Sequence, residues 1–139
     1  MGEDGREWER AESAASITID AALAVHSYAG PGLLERTYVV FLSEELRARG
    51  IPVRTQVVLP ARYRTATVDL AYRVDLVVDD ALIVEVKACP HLLPVHSAQL
   101  LSYLRLGDRR IGLLINFHAE RLKFGIRRLV NSRRLPHPA

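Results

Sequence analysis

The chain has 139 residues, of which 49% are apolar and 25% are charged; this is the composition of one globular domain rather than of a disordered or fibrous chain. No apolar stretch reaches the roughly 18 residues that a bilayer span needs, and the start is acidic where a signal peptide would be basic, so we expect a cytoplasmic protein without membrane contact. The formal net charge of +3 is too small to establish a polyanionic partner by itself.

The distribution of charge is more informative than its sum. Acidic residues crowd the first dozen positions, whereas basic residues are concentrated in the last thirty. This basic C-terminal group consists of Arg109, Arg110, Arg121, Lys123, Arg127, Arg128, Arg133 and Arg134. Such a surface could follow the phosphates of a nucleic acid, or it could be an ordinary solvated face, and the sequence leaves both alternatives open.

The whole chain, 1–139, reads as a single domain with a core from about residue 16 to about residue 131. Residues 1 to about 13 are polar, and we expect them to be frayed. A first helix follows, because apolar residues recur at helical spacing until the turn Gly30-Pro31-Gly32. A second helix is predicted over 33–49, with Gly50 as its C-terminal cap.

Strands dominate the middle of the chain. Residues 53–63 predict an outer strand, since Pro60 cannot donate to a central ladder. Two short apolar runs, 72–78 and 82–88, predict a hairpin at the centre of the sheet, buried on both faces. A helix over 93–106, an apolar strand over 111–117 and a last strand or helix over 121–130 complete the domain, and Pro136 and Pro138 indicate a loose tail.

Three ionisable residues interrupt the two most apolar strands, namely Asp75, Glu85 and Lys87. Burying such groups costs several kcal/mol unless they are paired or hold a metal. Strand alternation puts Glu85 and Lys87 on one face, and a three-residue turn over 79–81 would place Asp75 opposite Glu85. A two-residue turn would instead send the two acids to opposite faces, so the three-residue turn or a bulge is a requirement of this interpretation.

Two adjacent carboxylates, with the backbone carbonyl of Val86 between them, form an oxygen site suited to Mg²⁺ or Mn²⁺. The ammonium of Lys87 could then orient or deprotonate a water and stabilise the charge that grows on phosphorus. The alternative is a buried ion pair of Lys87 with Glu85 or Asp75 and no activity. Only two of the nineteen cationic residues are lysine, which favours a chemical role for Lys87, because arginine cannot deprotonate.

Several segments together resemble the GxxExxY protein family, which is placed in the PD-(D/E)xK nuclease superfamily. The resemblance covers about residues 16 to 131, and its motifs are Gly32-Leu-Leu-Glu35-Arg-Thr-Tyr38, Val74-Asp75-Leu-Val-Val78, Ile83-Val-Glu85-Val-Lys87-Ala88, His96-Ser-Ala-Gln99-Leu-Leu-Ser-Tyr103-Leu and Gly112-Leu-Leu-Ile-Asn116-Phe117. It implies an α/β fold of the restriction-endonuclease type, with a mixed four- to five-stranded sheet flanked by helices.

The resemblance also implies roles for individual residues. Asp75 and Glu85 would be metal ligands, Lys87 the catalytic lysine, Glu35 an acid that reaches the metal directly or through water, and Gln99 a catalytic glutamine beside the site. From the residues alone, Glu35 lies at the edge of an apolar stripe and can point inward, although a solvated glutamate at a helix start is the alternative.

The remaining polar side chains of these motifs allow two interpretations each. His96 shares a helix face with Gln99 and Tyr103, and it could contact a phosphate or merely hydrogen-bond its neighbours. Tyr38 and Tyr103 are expected to be core residues whose hydroxyls reach a polar partner.

The sequence therefore predicts a metal-dependent nuclease that hydrolyses phosphodiester bonds, with DNA expected as the substrate. Because a chain of this length has little surface for base-specific contacts, we expect recognition that is independent of base sequence. A homodimer or a targeting partner protein is also expected. One alternative is a catalytically silent nucleic-acid-binding or regulatory module of the same fold. Another is a structural scaffold whose buried charges form only ion pairs.

Overall fold

The computed structural model describes residues 2–132, apart from the side chains at positions 70 and 71. The elements in chain order are α1 (Glu3–Ala29), α2 (Glu35–Ala48), β1 (Val53–Tyr63), β2 (Ala66–Val78), β3 (Leu82–Lys87), α3 (Pro94–Leu106), β4 (Ile111–Asn116), a short 3₁₀ helix (Leu122–Gly125) and β5 (Ile126–Val130). The predicted α/β fold is confirmed. The last segment, left open between strand and helix, contains the 3₁₀ turn and then a strand. Arg133, Arg134 and the tail prolines lie outside the described residues.

The five strands form one mixed sheet in the order β1-β2-β3-β4-β5. Strands β3 and β4 are parallel, as a helical crossover through α3 requires, and the other neighbouring pairs are antiparallel. The predicted edge position of β1 is confirmed, and Pro60 coincides with a register shift between Leu59 and Ala61. Strand β2 begins at Ala66 rather than at Tyr72, because its polar first half pairs with β1 alone.

The sheet is covered by helices on both faces. Helices α1 and α2 pack on one face, where Leu42 and Val84 belong to one core, and α3 packs on the other, where Leu104 and Ile83 belong to a second core. Adjacent residues of β3 thus enter different cores, which confirms the prediction that this strand is buried on both faces. None of the helices in the described range is long and apolar enough to cross a membrane.

The N-terminal segment differs from the prediction. Residues from Glu3 onward are helical, so the expectation of a frayed start up to about residue 13 was wrong. The side chain of Arg110 is the main reason: it is 7% exposed, binds the carboxylate of Asp4 at 2.7 Å, lies 3.5 Å from that of Glu7 and stacks over the ring of Trp8. Because these partners are distant in the sequence, local polarity gave no sign of them.

The ribbon formed by β1 and β2 reverses its inward face at Gln56 and Asp75. Leu76 belongs to the core under α1 and α2, whereas Val74, two residues earlier, belongs to the core under α3. Regular alternation would put both on one face, so the break lies between them. Gln56 and Asp75 lie between the pairs Thr55–Leu76 and Val57–Val74 of the register, and Gln56 has a φ of 52°, which a non-glycine residue seldom adopts.

Candidate active site

Asp75 and Glu85 meet where β2 and β3 separate. The ladder between these strands pairs Val78 with Leu82 and ends at Leu76 with Val84, so the turn has three residues, as the prediction required. Beyond that point, side chains replace backbone pairing. The amide of Asp75 donates to Glu85 Oε1 at 2.8 Å, and the amide of Val86 donates to Asp75 Oδ2 at 2.8 Å.

This exchange leaves one oxygen of each carboxylate, Asp75 Oδ1 and Glu85 Oε2, outside those two hydrogen bonds. The amide of Val86 faces β2, and a strand residue directs its N–H and C=O toward the same neighbour, so the Val86 carbonyl faces this gap too. Two carboxylate oxygens and a carbonyl are ligands that suit Mg²⁺ or Mn²⁺. The residues present therefore fit the expected type of ion.

The two acids have electrostatic properties unlike those of surface carboxylates. Burial raises the pKa of Glu85 to about 8, with a further rise from the charge of Asp75, against the lowering effects of the Asp75 amide and of Lys87. Burial also raises the pKa of Asp75, and the hydrogen bond from Val86 opposes it. Such paired, desolvated acids are found at catalytic and metal sites more often than elsewhere.

Glu35 lies in the first turn of α2, exposed at the rim of the same site. It lines one cleft together with Asp75, and its charge raises the pKa of both Asp75 and Glu85. However, no three His, Cys, Asp or Glu side chains among the described residues lie close enough to hold one metal ion. This leaves direct ligation by Glu35 unsupported, and its contact through a water stays a prediction.

Lys87 ends β3 on the same side as Glu85 and is half-buried. Its ammonium lowers the pKa of both acids, so it is within electrostatic reach of them. Within the described part of the chain, however, no carboxylate comes within 4.0 Å of its nitrogen. The direct Lys87 ion pair on which the scaffold alternative depends is therefore not formed.

The α3 motif carries two polar side chains that were candidates for the site, Gln99 and His96. Gln99 is exposed one turn before Tyr103, whose pKa is raised by burial and then by the charges of Glu85 and Asp75. Gln99 itself makes no hydrogen bond to the acids in the described structure. The ring of His96 accepts a hydrogen bond from the Leu93 amide at 3.0 Å, which is the local role left open above.

Tyr38 explains the spacing of the motif that carries Glu35. Its ring is fully buried and stacks on Phe117, with centroids 4.5 Å apart. Its hydroxyl donates to the carbonyl of Gly30 at 2.5 Å and accepts from the amide of Leu33 at 3.1 Å. The expected core role is thus confirmed. The hydroxyl closes the turn that directs the chain into α2 and so sets the position of Glu35.

Asn116 is a residue that the sequence reasoning left without a role. It is 4% exposed and pairs in register with Lys87. Its side chain accepts from the Cys89 amide at 3.1 Å and donates to the Cys89 carbonyl at 2.8 Å, which fixes the chain directly after Lys87. A polar residue at the end of an apolar strand was the available signal, since buried amides need such partners.

The fold and this site define a class: an α/β domain with a mixed central sheet and an acid–acid–lysine group where two central strands separate. A family model of the PD-(D/E)XK nuclease superfamily matches residues 12–129. The chain belongs to this superfamily, and membership indicates a nuclease-type function. The narrower likeness to the GxxExxY family stays a resemblance. No curated protein and no solved structure gives a significant match.

Proposed function

We propose that the chain is a divalent-metal-dependent nuclease that hydrolyses phosphodiester bonds, with DNA as the expected substrate. The observation that carries the proposal is the exchange between Asp75 and Glu85, in which each carboxylate satisfies one backbone amide and keeps a second oxygen available. Asp75, Glu85 and the Val86 carbonyl would hold Mg²⁺ or Mn²⁺. A bound ion of this kind supplies charge stabilisation and makes a water more acidic.

The protein side chains then have distinct tasks. Asp75 and Glu85 would bind the ion and fix its position. Their burial keeps bulk water away from the ion's oxygen ligands. The Lys87 ammonium, not consumed by a close ion pair, is available to stabilise negative charge on the phosphoryl oxygens and to orient the attacking water. Glu35 is suited to hold a water at the rim of the cleft. A direct role of Gln99 stays a prediction.

Recognition is expected to be independent of base sequence. A homodimer or a targeting partner protein would supply the selectivity that so short a chain lacks, and a cytoplasmic location remains our expectation. The catalytically silent module is the competing function. The presence of all four motif residues, Glu35, Asp75, Glu85 and Lys87, favours the enzyme over that alternative.

Thermal unfolding with EDTA, Mg²⁺ or Mn²⁺ tests the metal part of the proposal. An ion at about ten times its dissociation constant should stabilise the folded state by roughly 1.4 kcal/mol. Asp75→Asn should abolish the effect, and Asp69→Asn, at an exposed position on the same strand, should retain it. Asparagine can still accept the Val86 amide, so the first variant removes charge more than structure.

Cleavage assays on single-stranded DNA, duplex DNA and RNA then test the reaction. Metal-dependent cleavage that is lost in Asp75→Asn and kept in Asp69→Asn would support the enzyme. If the ion stabilises the native chain but no substrate is cut, the silent module becomes the better description. If no divalent ion stabilises the native chain, the metal site itself is wrong.

A further inference from the structure

The acids Glu35 and Asp75 share their cleft with two arginines. The cleft has a volume of about 530 Å³ and is lined by Glu35, Arg36, Val39, Gln56, Arg73 and Asp75. It opens between the start of α2 and the β1–β2 ribbon. The face reversal at Asp75 is what turns Arg73 toward α2, because Val74 on the opposite side enters the core under α3.

Arg36 and Arg73 differ in their partners from six other arginines of the fold. Arg10, Arg49, Arg54, Arg109, Arg110 and Arg128 all bind carboxylates. Over the described residues, neither Arg36 nor Arg73 has a carboxylate within 4.0 Å, and both side chains are exposed. Their guanidinium groups are thus open to an external anion.

The cleft also contains two locally unfavourable features, one at Arg36 itself and one in the backbone of Gln56. Arg36 places a cation in the first turn of α2, where the helix dipole favours anions. Gln56, on the same cleft, holds a φ of 52°, a conformation that is unfavourable in residues other than glycine. Costs of this kind cluster at binding sites, where the geometry serves the ligand.

We propose that Arg36 and Arg73 form a phosphate-binding subsite that holds the nucleic-acid backbone beside the phosphodiester to be cut. The inference rests on the proposed function and adds to it the residues that bind substrate. A cleft lined by the carboxylates of Glu35 and Asp75 repels a polyanion, and two arginines at its wall offset that repulsion. The planar guanidinium matches phosphate oxygens in a bidentate geometry that lysine lacks.

The basic C-terminal group is the competing phosphate surface, and part of it is already occupied. Arg109, Arg110 and Arg128 bind Asp80, Asp4 and Glu12, respectively. Arg127 remains on the exposed surface of β5, at the opposite edge of the sheet from β1, with no ion pair among the residues described. It is therefore a matched control, of equal charge and similar exposure but outside the cleft.

The test measures the binding of fluorescent single-stranded and duplex DNA as a function of salt. Asp75→Asn serves as the background so that the strands stay intact, and Arg36→Gln with Arg73→Gln, or Arg127→Gln alone, is added to it. The two cleft substitutions should weaken binding roughly tenfold and lower the slope of log K against log salt by about 1.8 for duplex, or about 1.4 for single strands. Arg127→Gln should change affinity less than about twofold.

A salt slope that the cleft substitutions leave unchanged would overturn the subsite. An equal loss of affinity on Arg127→Gln would also overturn it, because binding would then depend on net charge alone. The outcome is separable from that of the nuclease proposal. If the native chain cuts DNA, only the subsite is wrong when the two cleft substitutions leave binding unchanged in the Asp75→Asn background and leave cleavage unchanged in a chain that keeps Asp75. If the cleft variant loses binding while the native chain cuts nothing, the subsite stands and the nuclease proposal fails.

Discussion

Metal-free protein should lose stability as the pH rises from about 4.5 to about 8, because Glu85 must ionise in a buried position. The pKa of this carboxyl is about 8 in the folded state, against an ordinary value of 4.5. Between those two values the folded protein holds a proton that the unfolded chain has released. The stability contributed by protonated Glu85 is therefore fully present below the pKa that Glu85 has in the unfolded chain. It is lost as the pH rises through the pKa that Glu85 has in the folded protein.

The interval between the two pKa values corresponds to at most about 5 kcal/mol for Glu85 alone, at about 1.4 kcal/mol per pH unit. Relaxation and water entry reduce this limit, so a fall of a few kcal/mol is the expected result. Asp75 acts in the same direction, since its pKa is raised as well. At roughly 4 °C per kcal/mol for a domain of this size, the melting temperature should fall by many degrees.

Urea unfolding in EDTA at a series of pH values measures the effect directly. Glu85→Gln keeps an oxygen that can accept the Asp75 amide but cannot ionise, so its stability should depend much less on pH. Glu44→Gln, at an exposed position of α2, should follow the native curve. The reasoning is refuted if native stability is flat or rises over this range, or if Glu85→Gln and the native protein show the same dependence. Added Mg²⁺ should stabilise the native protein more at the higher pH, because it binds the deprotonated carboxylates.

Three further substitutions test other parts of the structure. Lys87→Met should change the free energy of unfolding by less than about 1 kcal/mol, since no close ion pair is broken. It should reduce the cleavage rate at least a hundredfold, and cleavage at the native rate would contradict the proposed role of Lys87. Tyr38→Phe keeps the ring stack and removes the hydroxyl that holds Gly30 and Leu33, so denaturant unfolding should show a loss of about 1–3 kcal/mol; a loss under about 0.5 kcal/mol would mean that this turn does not need it. Arg110→Ala should expose the start of α1 to proteases and destabilise the fold by roughly 1–3 kcal/mol, and proteolysis at the native rate would show that α1 does not depend on it.

The sequence by itself determined those features that depend on local periodicity. Short apolar runs bounded by turn residues located β3 and β4, and Pro60 identified β1 as an edge strand. The pairing of Asp75 with Glu85 was also predictable, because side chains alternate with a period of two and only the length of the turn remained open. Asp79 and Asp80, both with positive φ, form most of that turn, and aspartate tolerates this conformation better than most residues.

The tertiary structure decided whatever depends on contacts between elements distant in the chain. The start of α1 is ordered by Arg110, which lies 106 positions away from its partner Asp4, and no local pattern encodes such a contact. The reversal of the ribbon at Gln56 likewise breaks the alternation from which faces are predicted, so the cleft with Arg36 and Arg73 could not be foreseen. Whether Lys87 forms a close ion pair depends on a difference of a few ångströms between its nitrogen and a carboxylate oxygen. Only the packing of whole elements fixes distances of that size.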